Sequence, residues 1–279
     1  MDQLRRLTPA SLPAAHARLR EQRTAFTTGV VFGALLWWGV RDYREFLALG
    51  PGGVPYNVLG WAAITLLIRP FALSKAAATR TADYPPAAGA HADVAALPPR
   101  AGPRARVGGI APHRQLSQHP PESMRESIHN LFANAAAQNP GLLETKTSLY
   151  ERHNDALFVS DQLLGNAEAV GLPHTATASR GEIGHPHPDL SIHLYVSPAD
   201  ARVLIEKGWA ERHRMSVPAN SWSKAIPIFR RIGDTFLMVY GPRNEEEMVV
   251  LQTILQNSIR FMTGREDCQL PEWKTRVNG

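Results

Sequence analysis

Cysteine is almost missing: Cys268 is the single one in 279 residues. That excludes an internal disulfide framework and a cysteine-built zinc cage, and it fits a reducing compartment. Charge is sparse too. Asp, Glu, Lys and Arg make up 20% of the chain, the formal net charge is only +5, and no long Lys/Arg block occurs. Nucleic-acid binding therefore has no electrostatic footprint. No Asn-x-Ser/Thr site is present, which fits a catalytic part that never enters the secretory lumen. Neither G-x-G-x-x-G nor G-x-x-x-x-G-K-[ST] appears, so no dinucleotide or P-loop phosphate cradle is encoded. The nucleophile-elbow pattern G-x-S-x-G is missing as well. There is no internal repeat, and the length suits one catalytic domain plus an accessory segment.

What is present divides the chain into segments. Residues 1–23 are basic, with Arg5, Arg6, Arg18, Arg20 and Arg23. Residues 24–40 contain the uncharged run "FTTGVVFGALLWWGV", ending on Trp37 and Trp38. With those flanks it reads as a transmembrane anchor at the lower length limit. Residues 41–82 hold a second apolar run, "YNVLGWAAITLLIRPFAL", which reads as a second span, an interfacial helix, or a helix packed on the domain. Basic residues on both outer flanks favour a hairpin with both ends in the cytoplasm. The expected location is therefore the endoplasmic reticulum or another endomembrane, with the catalytic domain on the cytosolic side. Residues 83–109, crowded with Pro, Ala, Gly and Arg, read as an extended linker or wrapping arm. Residues 110–265 have a globular composition, and 266–279 form a tail.

Within 110–265 the elements alternate. "PPESMRESIHNLFANAAAQ" predicts a helix from about Glu122 to Ala137. "DALFVS", "LSIHLYV" and "DTFLMVYG" are short strand signals. "SPADARVLIEKGW" has Ser197 as N-cap, Pro198 at the first helical position and Gly208 as the stop. Asn244 caps a last helix with Glu245 to Glu247 in its first turn and Met248, Leu251, Ile254, Leu255 and Ile259 on one face. The expected fold is α+β, a compact mixed two-layer domain preceded by an N-terminal transmembrane or apolar helical region.

The chemistry concentrates in "GEIGHPHPDLSIHLYV", Gly181 to Val196. In extended chain His185 and His187 project to the same side, and the turn through Pro188 and Asp189 brings His193 towards them. Pro186 and Pro188 argue against a central strand here, because neither donates to a ladder. The three imidazoles suit a divalent metal such as Zn or non-haem Fe, with Glu182 as a carboxylate ligand and Asp189 orienting a ligand from behind. They equally suit metal-free proton transfer. A polar loop whose histidines cap backbone groups or face water is the plainer alternative. His213 and His153 are further candidates. "APHRQ", Ala111 to Gln115, is an odd polar concentration without a comparable signal.

Three stretches together, "RGEIGHPHPDLSIHL", "EKGWAERH" and "YGPRNEEEMVVLQTILQNSIRFMT", resemble the fungal luciferase family. "RDYREFLALGP", "LPPRAGPRARVGGIAPHRQ" and "YERHNDALF" resemble upstream segments of that family in the same order. The resemblance implies an enzyme that adds O2 to a 3-hydroxy-α-pyrone, forming an endoperoxide that loses CO2, with O2 as co-substrate and no organic cofactor. Residue by residue it implies Glu182, His185, His187 and His193 as the catalytic set, and His153, Asp189, Trp209, His213 and Arg243 as substrate-binding residues. The histidine motif is shorter than in luminous members and the segment from Arg214 to Phe236 differs, which points to a non-luminous relative.

The expectation is a membrane-anchored enzyme acting on a small polyketide- or pyrone-like metabolite. A histidine of the His185/His187/His193 set removes an enolic proton, and Arg243 or His213 stabilises the anion. The same three histidines are the candidate metal ligands. Two other readings stay open: a non-oxidative cyclase or isomerase, and an accessory protein that presents a metabolite to a partner biosynthetic enzyme.

Overall fold

The computed structural model describes residues 11–277. The chain divides into two units, one ending at Ala48 and one beginning at Leu49. Within the first, Ser11–Ala48 is a single 38-residue helix. Its apolar stretch from Phe26 to Val40 covers roughly 22 Å at 1.5 Å per residue, against a hydrocarbon core of about 30 Å. Charged residues resume immediately, and Arg41 pairs with Glu45 at 3.0 Å. Among the described residues no helix is long and apolar enough to cross a membrane. This overturns the predicted anchor at 24–40, the second span within 41–82, and the endomembrane location inferred from them.

The second apolar run belongs to the globular unit. It is broken into a short α-helix Val58–Ala62, a π-helical turn Ala63–Ile68 and a 3-10 turn Arg69–Phe71. Ile64 and Ile68 are buried in the main hydrophobic core. Apolar length here reflects a core contact.

The second unit is mixed α+β. Val107–Gly109 (β1) and His113–Gln115 (β2) form a small antiparallel hairpin. The main sheet contains Leu143–Thr147 (β3), Asp155–Val159 (β4), Glu182–Pro186 (β5), Ile192–Tyr195 (β6), Ala210–Arg212 (β7) and Phe236–Val239 (β8). Its order is β3-β4-β5-β6-β8-β7, with every neighbour antiparallel. The helices Met124–Gln138 and Glu245–Thr263 pack on the central strands.

The helix ends follow capping chemistry. The Asn244 side chain accepts the Glu247 N–H at 2.9 Å, and Gly264 closes the helix in the left-handed region. Met248, Leu251, Ile254, Leu255 and Ile259 are all buried, each contributing about 1.5–3 kcal/mol. Ser197 caps Pro198–Glu206 by accepting the Asp200 N–H. The arm at 83–106 runs along this helix, where the Trp209 indole donates to Pro98 O at 2.7 Å and Lys207 Nζ donates to Ala95 O.

Alternation along β6 separates two worlds. Ile192 and Leu194 join the hydrophobic core, whereas His193 turns to the opposite face. That second face of the sheet carries the site.

Candidate functional site

The site is built on the β5–β6 hairpin. His185 pairs directly with His193, and Pro186 with Ile192. His187 N donates to Ser191 O at 2.8 Å, so the ladder alternation places Pro186 in a non-hydrogen-bonded pair. Its missing donor is not needed there, and the β4 pairing has already stopped at Gly184. This is why β5 is a central strand despite the prolines. Gly184 makes the close approach possible: a Cβ on it would lie 2.1 Å from His193 O.

The hairpin brings His185, His187 and His193 together. Ring centroids are 5.1 Å apart for His185–His187, 5.3 Å for His185–His193 and 4.3 Å for His187–His193. Behind His185 stands Glu182, whose carboxylate accepts from His185 Nδ1 at 2.7 Å, Ser148 Oγ at 2.8 Å and Leu149 N at 2.7 Å. Behind His187 stands Ser191, 2.9 Å from Nδ1, which donates to Asp189 at 2.7 Å. Asp189 also accepts the Gln115 N–H at 2.8 Å, tying the turn to β2.

β2 adds what the sequence did not announce. His113 Nδ1 lies 3.2 Å from His193 Nε2, and its ring meets that of His213 edge-on at 4.8 Å. Five histidines are thus gathered, all buried. Burial pushes His113, His187 and His193 well below the ordinary imidazole range, with neighbouring charges adding to it. Burial also takes His213 down to about 3, against a bond to the Ile110 backbone that pulls upward. All four are neutral near pH 7, the state that binds metals and exchanges hydrogen bonds.

A cavity of about 230 Å³ opens over the cluster. His113, His193 and His213 form part of its wall with Tyr150, Met215 and Phe236. Arg152, Arg180 and Arg231 line it as well. All three are exposed, and no described carboxylate pairs with them. Arg152 and Arg180 hold φ of 64° and 55°, a strained left-handed backbone often kept at functional sites. Glu151, also in the wall, is locked to Arg114 at 2.5 Å, and the Tyr150 and Tyr195 hydroxyls meet at 2.8 Å.

The sequence-derived residues divide accordingly. Glu182, His185, His187, Asp189, His193 and His213 converge, although only His193 and His213 of these reach the cavity. His153 is exposed and outside the cluster; its neighbour Glu151 faces inward instead. Trp209 is buried away from the cavity, beneath Arg100. Arg243 is paired with Glu247 through Nε at 2.8 Å and is not in the cavity wall. His113, Arg114 and the arginine rim were missed. The polar stretch "APHRQ" was the one available signal. Two histidine triads have a ring nitrogen from each member within 4.8 Å of the others: His185, His187 and His193, and His113, His193 and His213.

The histidine-walled cavity on a mixed α+β scaffold is the candidate site, and comparison with known proteins says what the chain resembles. Residues 180–258 match the family model described as "Luciferase domain", the stretch from β5 into the last helix. The chain is 28% identical over 260 residues to the luciferase of Neonothopanus nambi, covering 88% of this chain and 90% of that one. It is 28% identical over 228 residues to the luciferase of Armillaria ostoyae, 80% and 81% of the two chains, and equally to that of Armillaria gallica. The chain is thus similar to the fungal luciferases over most of its length, the resemblance that its motifs carry. No solved structure matches.

Proposed function

We propose that the protein is a luciferase-type oxidase of a small enolic, pyrone-like metabolite, which it holds in the cavity as the enolate and oxidises with O2. The observation that carries this reading is the cavity wall, which holds buried neutral imidazoles and three arginines without a carboxylate partner among the described residues, while the wall's Glu151 is neutralised by Arg114. Such a wall suits a flat apolar ring on which one negative charge develops.

His113 Nε2 is buried and has no hydrogen-bond partner among the described residues. In this reading it donates to the enolate oxygen, while Arg152, Arg180 and Arg231 lower the cost of the charge. The enolic proton leaves through the open mouth to water. The enolate carbon then gives an electron pair to O2: a C–O bond forms and O2 is reduced to the peroxide level. Ring closure of the peroxide onto the adjacent carbonyl and loss of CO2 complete the sequence that the family resemblance implies. A substrate this electron-rich needs no organic cofactor. Arg243 and His153 take no part.

Purified full-length protein incubated with 3-hydroxy-2-pyrones under air and under argon tests the reading by oxygen electrode, mass spectrometry and photon counting. Oxygen uptake with CO2 loss, confined to air, is expected. The same product under argon would mean an isomerase or cyclase. Stoichiometric binding without product would mean a carrier.

A further inference from the structure

The buried imidazole nitrogens can be followed one at a time. Ser148 accepts from the Tyr150 and Glu151 amides and spends its own hydrogen on Glu182. The Glu182 carboxylate therefore takes the Nδ1 hydrogen of His185. This leaves His185 Nε2 a bare lone pair, buried and without a partner among the described residues. Ser191 spends its hydrogen on Asp189 and so accepts from His187 Nδ1. His187 Nε2 is then bare as well. With His113 donating from Nε2, its Nδ1 accepts from His193 Nε2, and His193 Nδ1 becomes a third lone pair, 3.1 Å from His187 Nε2.

Three lone pairs turned on one another in a dry interior call for a cation. A metal ion suits well, since its ligands must be neutral imidazoles. Two nitrogens bound to one ion at about 2.0–2.1 Å sit roughly 3.0–3.4 Å apart, which is the His187–His193 spacing. The outer nitrogens of His185 and His187 are held by Glu182 and, through Ser191, by Asp189, the arrangement that fixes tautomer and direction in metal-binding histidines. The rival triad is weaker, because His213 uses Nδ1 to accept the Met215 amide at 3.1 Å.

We propose that His185 Nε2, His187 Nε2 and His193 Nδ1 bind one divalent first-row transition ion, oriented by Glu182 and Asp189. Imidazole donors suit Zn, Fe, Ni or Cu. His185 and His187 are absent from the cavity wall, so the ion acts from beneath it. It polarises His193, whose Nε2–H strengthens His113 as a donor towards the substrate. The role of His193 rests on the reading of His113 given above; the lone pairs of His185 and His187 do not.

The test is metal analysis of the full-length protein as isolated, followed by titration of chelator-stripped protein with Co(II), read by its visible d–d absorption. One equivalent per chain and a Co(II) spectrum are expected. His187→Gln and His185→Gln should weaken Co(II) binding by at least the 10–100-fold typical of lost ligand support, while His213→Gln keeps it. Circular dichroism separates loss of metal from loss of fold. Should both ligand variants unfold, the unmutated protein still decides: no stoichiometric metal as isolated and no Co(II) spectrum overturns the proposal. Metal lost from His213→Gln but retained in His187→Gln also overturns it. Neither result depends on turnover, so the oxidase reading stands or falls separately.

Discussion

Glu182→Gln is the perturbation that probes the site most sharply without touching the cavity. Glu182 is fully buried and accepts three hydrogen bonds, from His185 Nδ1, Ser148 Oγ and Leu149 N, at 2.7–2.8 Å. Glutamine keeps one acceptor oxygen and turns an NH2 group towards at least one of these donors. One bond becomes a donor–donor clash and the others lose their charge assistance, each such bond being worth about 1.5–3 kcal/mol. The expected loss is about 3 kcal/mol, or roughly 6–12 °C in Tm for a domain of this size. Urea unfolding followed by circular dichroism measures it. A double-mutant cycle with His185→Ala isolates the pair, and a coupling of at least about 1 kcal/mol is expected for residues in one network. A glutamine variant as stable as the parent, or full additivity with His185→Ala, would refute the claim that this carboxylate fixes the His185 ring.

Gly184→Ala places a methyl group against backbone that cannot give way, 2.1 Å from His193 O. It should cost about 3 kcal/mol or more and pull His185 from His193, which urea unfolding will show. Acid should destabilise the fold. His213 titrates near 3 when folded but near about 6.5 when unfolded, so only the unfolded chain takes up the proton between those values. Stability then falls by up to about 1.4 kcal/mol per pH unit below about 6.5 for this group and is flat above it. His113, His187 and His193 act in the same direction, and urea midpoints at pH 5 and pH 7.5 give the check. Replacing Arg180 and Arg231 together by Gln should raise KM for an ionisable pyrone about tenfold and flatten its salt dependence, with binding of an O-methylated analogue unchanged. His153→Ala should leave turnover untouched, since that side chain is exposed outside the cluster.

Much of this architecture was legible because it is local. Asn244 and Ser197 announce their helix starts and Gly208 a helix stop by capping chemistry, and the apolar spacing in the last helix names the face it buries. The convergence of His185, His187 and His193 follows from i, i+2 projection and a short turn. Long-range placement was not legible. His113 meets His193 across 80 positions through a three-residue strand that has no periodicity to read. The prolines misled because a missing donor matters only where the ladder needs one, and register decides that. The apolar run at 26–40 misled because its basic and tryptophan flanks imitate a membrane anchor although the run lies at the lower length limit for a span. Arg243 and Trp209, conspicuous within motifs, support the Arg100–Glu247 corner and the wrapping arm instead of the cavity.

The central claim is that the cavity holds its substrate as an enolate. A 3-hydroxy-2-pyrone bound under argon, where oxidation is blocked, can be titrated by its ultraviolet absorption. The bound enol should ionise at least about two pH units lower than in water, about 2.7 kcal/mol of preferential stabilisation, and His113→Gln should remove much of that shift. A bound enol that ionises at or above its solution value, or a shift unchanged in His113→Gln, would contradict the account.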